Sequence, residues 1–400
     1  MRLDWASELS GTAGPFATVS IDTSRNEEDA ARGVELRWEA HARHLAGLGA
    51  PDEVVKALGE AVTAPTHRGG RHGRLAVATS DGVVLDLVLP EPPVRESSSW
   101  GPVPQLLPAA RALRHHLTYV LAELDAAGGE IHVATPWGKA SREVQGEHDV
   151  LHPVPGGGWS HRRYRSRVED SIARNAGEVA RALADVVRET RPDLVLLTGE
   201  EKSVTELLDS ASGEVTQRSV RLRHGSRAAR DGERARDEEI AAVVADRLRE
   251  RRAAVFDRFA GGEARQDSAV QSLPDVVAAL QRGQVDELLL VDDPSSDLTL
   301  WATGQPEQLA LVRGDLEAMG VADAAQEVRA DAAITWAAVG TGAGITMFDE
   351  APEDPSPDER PPRLRDGIAA VLRWDDDSTP HDGAPSMPGH GEPPGAPQEW

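Results

Sequence analysis

The 400-residue chain carries 43 Lys and Arg against 67 Asp and Glu, a formal net charge of −24, and no cysteine. So acidic a chain is not a general nucleic-acid coat, and without cysteine it forms no disulfide, thiolate metal site or cysteine nucleophile. No apolar h-region follows Met1 and no apolar run approaches the roughly 20 residues that span a bilayer, which predicts a soluble cytoplasmic protein of two or three domains.

Residues 16–22 alternate apolar and polar side chains and predict a strand, followed by helices over 27–48 and 52–62. Residues 74–89 read as a hairpin around a Ser80-Asp81-Gly82 turn. The Pro- and Ser-rich stretch 90–108 marks a boundary, giving an N-terminal α/β domain over 1–108. A middle domain over 109–260 opens with strands at 117–124 and 130–135, then a Gly-rich basic loop and a helix at 161–190. Val168, Ile172, Ala176, Val179, Leu183 and Val186 share an arc of about 90° on that helix. Arg163, Arg167, Arg174, Arg181 and Arg188 fall on the opposite arc. A buried strand at 194–199, a helix from Ser203, a strand near 215–222 and a helix at 233–259 complete the unit.

Gly261-Gly262 and the polar residues to Ser268 read as a hinge into a C-terminal domain over 261–374. There the pattern predicts a helix at 273–282, strands at 285–291 and 298–302, a helix at 306–319, a strand at 332–339 and a last element at 367–374. An acidic, Pro-rich insert covers 349–362. The tail 375–400, with no aliphatic cluster, predicts disorder. Alternating strands and helices imply an α/β layer fold.

The loop Gly156-Gly157-Gly158-Trp159-Ser160-His161-Arg162-Arg163-Tyr164-Arg165-Ser166-Arg167 carries the most chemistry. Pro153 and Pro155 with three glycines keep the loop out of any helix or ladder, and Ser160 is a good N-cap. Arg162, Arg163, Arg165 and Arg167 follow with no acid among 160–167. A glycine tip on a basic helix start suits a phosphate-rich place; the alternative is an exposed loop before a solvated helix. His148, His152 and His161 invite a metal, but Pro153 and Pro155 break the helix that would align them, so no metal site is predicted. Gly340-Thr341-Gly342-Ala343-Gly344 lacks the Lys-Ser/Thr of a phosphate-binding loop and reads as a strand-edge turn. There is no Gly-x-Ser-x-Gly elbow, and His67, His72, His115 and His116 read as surface residues. No cofactor is predicted.

Three segments together resemble the archaeal and eukaryotic peptide-chain release factor and Pelota superfamily. The nearest resemblance is to its bacterial branch, release-factor-like family 2 with the Balon-type ribosome hibernation factors. The superfamily's Gly-Gly-Gln-Ser-Ala-x-Arg-Phe loop is matched by Gly157, Gly158, Ser160, Arg163 and Tyr164, with Trp159 in place of glutamine and His161 in place of alanine. Residues 278–290 resemble the segment that opens its C-terminal domain, and Gly367-Ile368-Ala369-Ala370-Val371-Leu372-Arg373-Trp374 the strand that closes it. No Asn-Ile-Lys-Ser element that reads stop codons is found in the N-terminal domain.

The resemblance implies a three-domain release-factor/Pelota-like architecture whose middle and C-terminal domains are mixed sheets with packed helices. It implies that Gly157, Gly158, Trp159, Ser160, His161, Arg162, Arg163, Arg165 and Arg167 meet rRNA at the peptidyl-transferase centre. Arg163 has a structural alternative, satisfying carbonyls at the loop base. Without the glutamine that positions a water, no catalytic residue is expected. The implied role is a monomeric hibernation or stress factor in the A site, partnered by the 70S ribosome and elongation factor Tu, with neither DNA nor a membrane as partner. The alternatives are a peptidyl-tRNA hydrolase in ribosome rescue and an adaptor that binds protein through its acidic surface.

Overall fold

A computed structural model describes residues 1–24, 30–66, 68–145, 159–223, 230–293, 296–349, 364–376 and 379. The chain opens with a short 3-10 turn, Asp4–Gly11, that sequence periodicity did not predict. It then enters β1 (Phe16–Asp22), α1 (Ala30–Gly47), α2 (Asp52–Thr63), β2 (Gly73–Thr79), β3 (Gly82–Leu89) and β4 (Ser97–Gly101). These strands form an antiparallel sheet in the order β3-β2-β1-β4. The Pro- and Ser-rich stretch therefore contains a strand: Ser97 to Gly101 pair with Ser20 to Phe16 on an edge, where small polar residues suffice.

Helix α3 (Leu107–Leu113) leads into β5 (Tyr119–Asp125), β6 (Gly128–Thr135), β7 (Gly138–Gln145), α4 (Trp159–Thr190), β8 (Leu194–Gly199), α5 (Glu201–Ser210), α6 (Gly213–Arg218) and β9 (Ser219–Arg221). The sheet order is β7-β6-β5-β8-β9, with β5, β8 and β9 parallel and the β5-β6-β7 meander antiparallel. The strand expected near 215–222 is helix over its first half. Ser212 caps α6, its Oγ accepting the Val215 N–H at 3.4 Å, and only 219–221 pair with β8.

Helix α7 (Arg230–Arg265) spans 36 residues, about 54 Å at 1.5 Å per residue. Ile240 packs beside Leu121 and Leu196 of the five-stranded sheet, whereas Val255 and Phe259 pack beside Leu289, Ala369 and Val371. The expected hinge at Gly261-Gly262 is therefore helix. Glycine is needed there for close packing: a Cβ on Gly262 would lie 2.8 Å from the Ala269 Cβ and 2.9 Å from the Asp267 carbonyl oxygen.

The remaining elements are β10 (Ala269–Gln271), α8 (Leu273–Gln281), β11 (Val285–Asp292), β12 (Thr299–Ala302), β13 (Leu309–Ala310), α9 (Arg313–Ala318), β14 (Gln326–Arg329), α10 (Ala330–Thr341), β15 (Gly344–Asp349) and β16 (Ile368–Leu372). Strands β10-β16-β11-β15 form a mixed sheet in which only β11 and β15 are parallel, and β13-β12-β14 form a small antiparallel one.

Two expectations fail here. The helix expected over 306–319 is the β13 strand plus the short α9, because Leu309 and Ala310 pair with Ala302 and Trp301. The strand expected over 332–339 is α10, buried on every side from Ala332 to Val339, and a continuous apolar run does not distinguish the two. The Gly340–Gly344 run spans the end of that helix and the start of β15.

One hydrophobic core joins the two ends of the chain: Leu9, Phe16, Leu75, Leu89 and Leu106 pack with Val277, Leu280, Leu288, Trp336 and Ile345. Trp336 is 1% exposed, and its indole N–H donates to the Gly304 carbonyl at 3.1 Å. Across the same junction Asp292, at the end of β11, accepts from Arg111 Nε and Arg114 Nη1, each at 2.7 Å. After β16, Gln284 Nε2 donates to Thr379 Oγ1 at 2.8 Å, and Thr379 is buried. Among the described residues no helix is long and apolar enough to cross a membrane.

Candidate functional site

Helix α4 is fixed to the middle sheet along one stripe. Ile172, Ala176, Val179, Ala180, Leu183, Val186 and Val187 are buried, most of them beside Val120, Ile131, Val195 and Leu197. All the apolar positions expected on that arc are buried except Val168, whose side chain lies outside the described residues. Arg174, Arg181 and Arg188 are exposed, and Arg188 pairs with Asp185 at 3.0 Å, which makes that stretch of the arginine arc a solvated face.

Two contacts set the height of the helix on the sheet. Asn175, itself buried, donates from Nδ2 to the Ala126 carbonyl in the β5–β6 turn at 3.1 Å. A Cβ on Gly129 would lie 2.8 Å from the Glu123 carbonyl oxygen and 3.4 Å from Val179, so glycine lets α4 sit close to β6.

Of the nine residues expected to form the tip, Gly157 and Gly158 lie outside the described residues. Trp159, Ser160, His161, Arg162, Arg163, Arg165 and Arg167 occupy the first turns of α4, with only their backbone described. The helix starts at Trp159, so Ser160 is inside its first turn instead of capping it. Trp159 precedes the first described buried anchor, Ile172, by 13 residues, about 20 Å of helix. Helix N-termini favour acids because their free N–H groups carry partial positive charge. The first turn here has none, and four arginines follow by residue 167. That arrangement costs helix stability.

His148 and His152 lie outside the described residues. Among the described residues, no group of three or more His, Asp or Glu is placed to hold a metal.

A second polar cluster escaped the sequence reading. Strand β4 pairs Ser98 with Val19, so Ser98 shares the sheet face on which α1 packs. His41 and His44, one turn apart on α1, each bring Nδ1 to 3.0 Å from Ser98 Oγ. On the other side of His41, Nε2 lies 3.5 Å from Glu96. Burial alone would push the Glu96 carboxyl up. The His41 side chain, the Asp22 backbone N–H at 3.0 Å and the Arg37 charge outweigh it and hold the carboxyl below its ordinary range. The only sequence signal was the i, i+3 spacing of the two histidines, which says nothing of Ser98.

Residues 118–265 match the family model of bacterial archaeo-eukaryotic release factor family 2. The middle unit of this chain is similar to that release-factor-like family. Over 381 residues the chain is 28% identical to the Mycobacterium tuberculosis protein Rv2629, covering 93% of this chain and 96% of the relative, itself described as uncharacterized. Among solved structures, ribosome-bound archaeal Pelota is 12% identical over 93% of both chains, with a TM-score of 0.39. Archaeoglobus fulgidus Pelota is 15% identical over 76% of this chain and 84% of its own, with a TM-score of 0.32. The archaeal termination factor aRF1 is 13% identical over 92% and 95%, at 0.22.

Proposed function

We propose that the protein is a ribosome-binding translation factor that occupies the A site of idle ribosomes through its Gly157-Gly158-Trp159 tip. One observation carries the reading: the segment similar to the release-factor-like family holds two glycines, Trp159 and four arginines, without an acid, where its loop meets α4. Glycines let a backbone approach a crowded RNA surface. Arginines at 162, 163, 165 and 167 neutralise phosphates, which makes binding fall with salt. Trp159 fills the place where a glutamine would orient water, and an indole stacked on a base contributes about 1–3 kcal/mol. Occupancy without ester hydrolysis is the consequence, so the role is hibernation under stress, delivered by a translational GTPase such as elongation factor Tu.

Co-sedimentation with vacant 70S ribosomes across a salt series tests this. Binding should weaken with salt and be lost in Arg162→Glu/Arg163→Glu. Absence of binding by the unsubstituted chain, with elongation factor Tu present, sinks the reading. Binding that ignores the arginine substitutions points to protein contacts through the acidic surface instead. The retained Gly157 and Gly158 also favour a second reading, a peptidyl-tRNA hydrolase in ribosome rescue. Release of peptide from a stalled complex, abolished by Gly157→Ala/Gly158→Ala, would select it.

A further inference from the structure

The cleft between the first sheet and the β12–β14 region, about 410 Å³ in volume, is lined by His41, His44, Glu96 and Ser98, with Arg95 and Arg329 on its walls. A cavity of that size holds a small organic molecule. One assignment of the protons satisfies all three contacts. Ser98 has one hydroxyl proton and two imidazole nitrogens at 3.0 Å, so it donates to one and accepts from the other. His41 faces the Glu96 carboxylate with Nε2 at 3.5 Å, and a proton on that nitrogen leaves Nδ1 as the acceptor for Ser98. His44 then donates its Nδ1–H to Ser98 Oγ. A hydroxyl, a base that receives its proton and a carboxylate that orients the base are the three roles of a hydrolytic triad, recognised by geometry and not by chain order.

We propose that Ser98 is the nucleophile of a second site, with His41 as its base and Glu96 as the positioning carboxylate, acting on small carboxylic esters. Ser98 Oγ bonds to the ester carbonyl carbon as its proton passes to His41 Nδ1. The bond from that carbon to the alcohol oxygen breaks, and the alcohol leaves with the proton from His41. Water then gives a proton to His41 and its oxygen bonds to the acyl carbon. The bond to Oγ breaks, Oγ takes the proton back, and the acid leaves. His44, its Nδ1 3.0 Å from Oγ, supplies a donor beside the place where the oxyanion forms on addition. The site is independent of the α4 tip and of the ribosome reading.

The test uses the full chain with a fluorophosphonate probe and with 4-nitrophenyl acetate. The expected result is one adduct on Ser98 by peptide mass spectrometry, and acetate release that falls about 100-fold or more in Ser98→Ala and His41→Gln. His41→Gln keeps the hydroxyl, so it reports on activation even if Ser98→Ala fails to fold; Ser99→Ala, on the other sheet face, should leave both readouts intact. No adduct on Ser98, or labelling and hydrolysis unchanged in His41→Gln, overturns the proposal.

Discussion

Phe16 and Trp336 meet edge to face, their ring centroids 5.5 Å apart at 63°, and so join the first strand of the chain to α10. Both rings are buried in the core shared by the chain's two ends. Trp336→Ala removes the larger ring and leaves the Gly304 carbonyl without its donor, and is expected to cost about 3–5 kcal/mol. Because the core is shared, denaturant unfolding followed at the β1–β4 sheet and at the β10–β16 sheet should shift together. Separate transitions would contradict a common core.

Asp292 gathers two guanidinium groups in a partly buried place, its side chain 9% exposed. Asp292→Ala strips Arg111 of this acceptor while Arg114 keeps Asp349 at 2.8 Å. An unpaired, partly buried cation is costly, so a loss of about 3 kcal/mol is expected by denaturant titration. Asp292→Asn, which keeps one acceptor, should lose less.

Asn175→Leu breaks the side-chain bond to Ala126 that sets α4 on its sheet. Leaving that carbonyl without its donor should cost about 1–3 kcal/mol. Faster amide exchange should appear along residues 172–187, with the β1–β4 sheet unaffected.

Acid should destabilise the protein before the carboxylates titrate. Burial pushes His115 and His116 below the ordinary histidine value of 6.5; the Arg114 charge adds to it at His115, and His115 does so at His116. Their neutral forms are favoured in the fold, so stability is fully present above 6.5 and falls as pH drops below it. Glu96, held below 4.5, extends the loss to lower pH. Thermal melts from pH 7.5 to 4.5 should show a declining midpoint, with a shallower decline in His116→Gln. A midpoint flat down to pH 5 would refute the histidine contribution.

The amphipathic elements were legible in the sequence. The α4 stripe, the 74–89 hairpin and the buried strand 194–199 follow from period and turn chemistry, which local residues determine. Elements decided by tertiary partners were not. The serine-rich β4 is a strand because β1 offers it an edge, and 332–339, enclosed on all sides, has an apolar run that suits a buried helix as well as a buried strand. Gly261-Gly262 read as a hinge since glycine usually loosens a chain, yet here it admits β10 against α7. The glycines and arginines proposed as the tip stand out by composition, and the match over 118–265 agrees with the resemblance that the motif carried. Ser98 was not legible, because its partners lie 54 and 57 residues away in the chain.

The shared core also bears on how such a chain is made. Leu106 and Val270 belong to that core and are separated by about 160 residues of middle unit. At roughly 5–20 residues per second, the apolar face of the first sheet waits on the order of ten seconds or more, during synthesis, for the strands and helix that cover it. The middle unit, whose own core runs from Val120 to Val215, closes well before then. A sheet translated ahead of the middle unit is thus covered after it, and its uncovered face is a natural client for a chaperone at the tunnel exit.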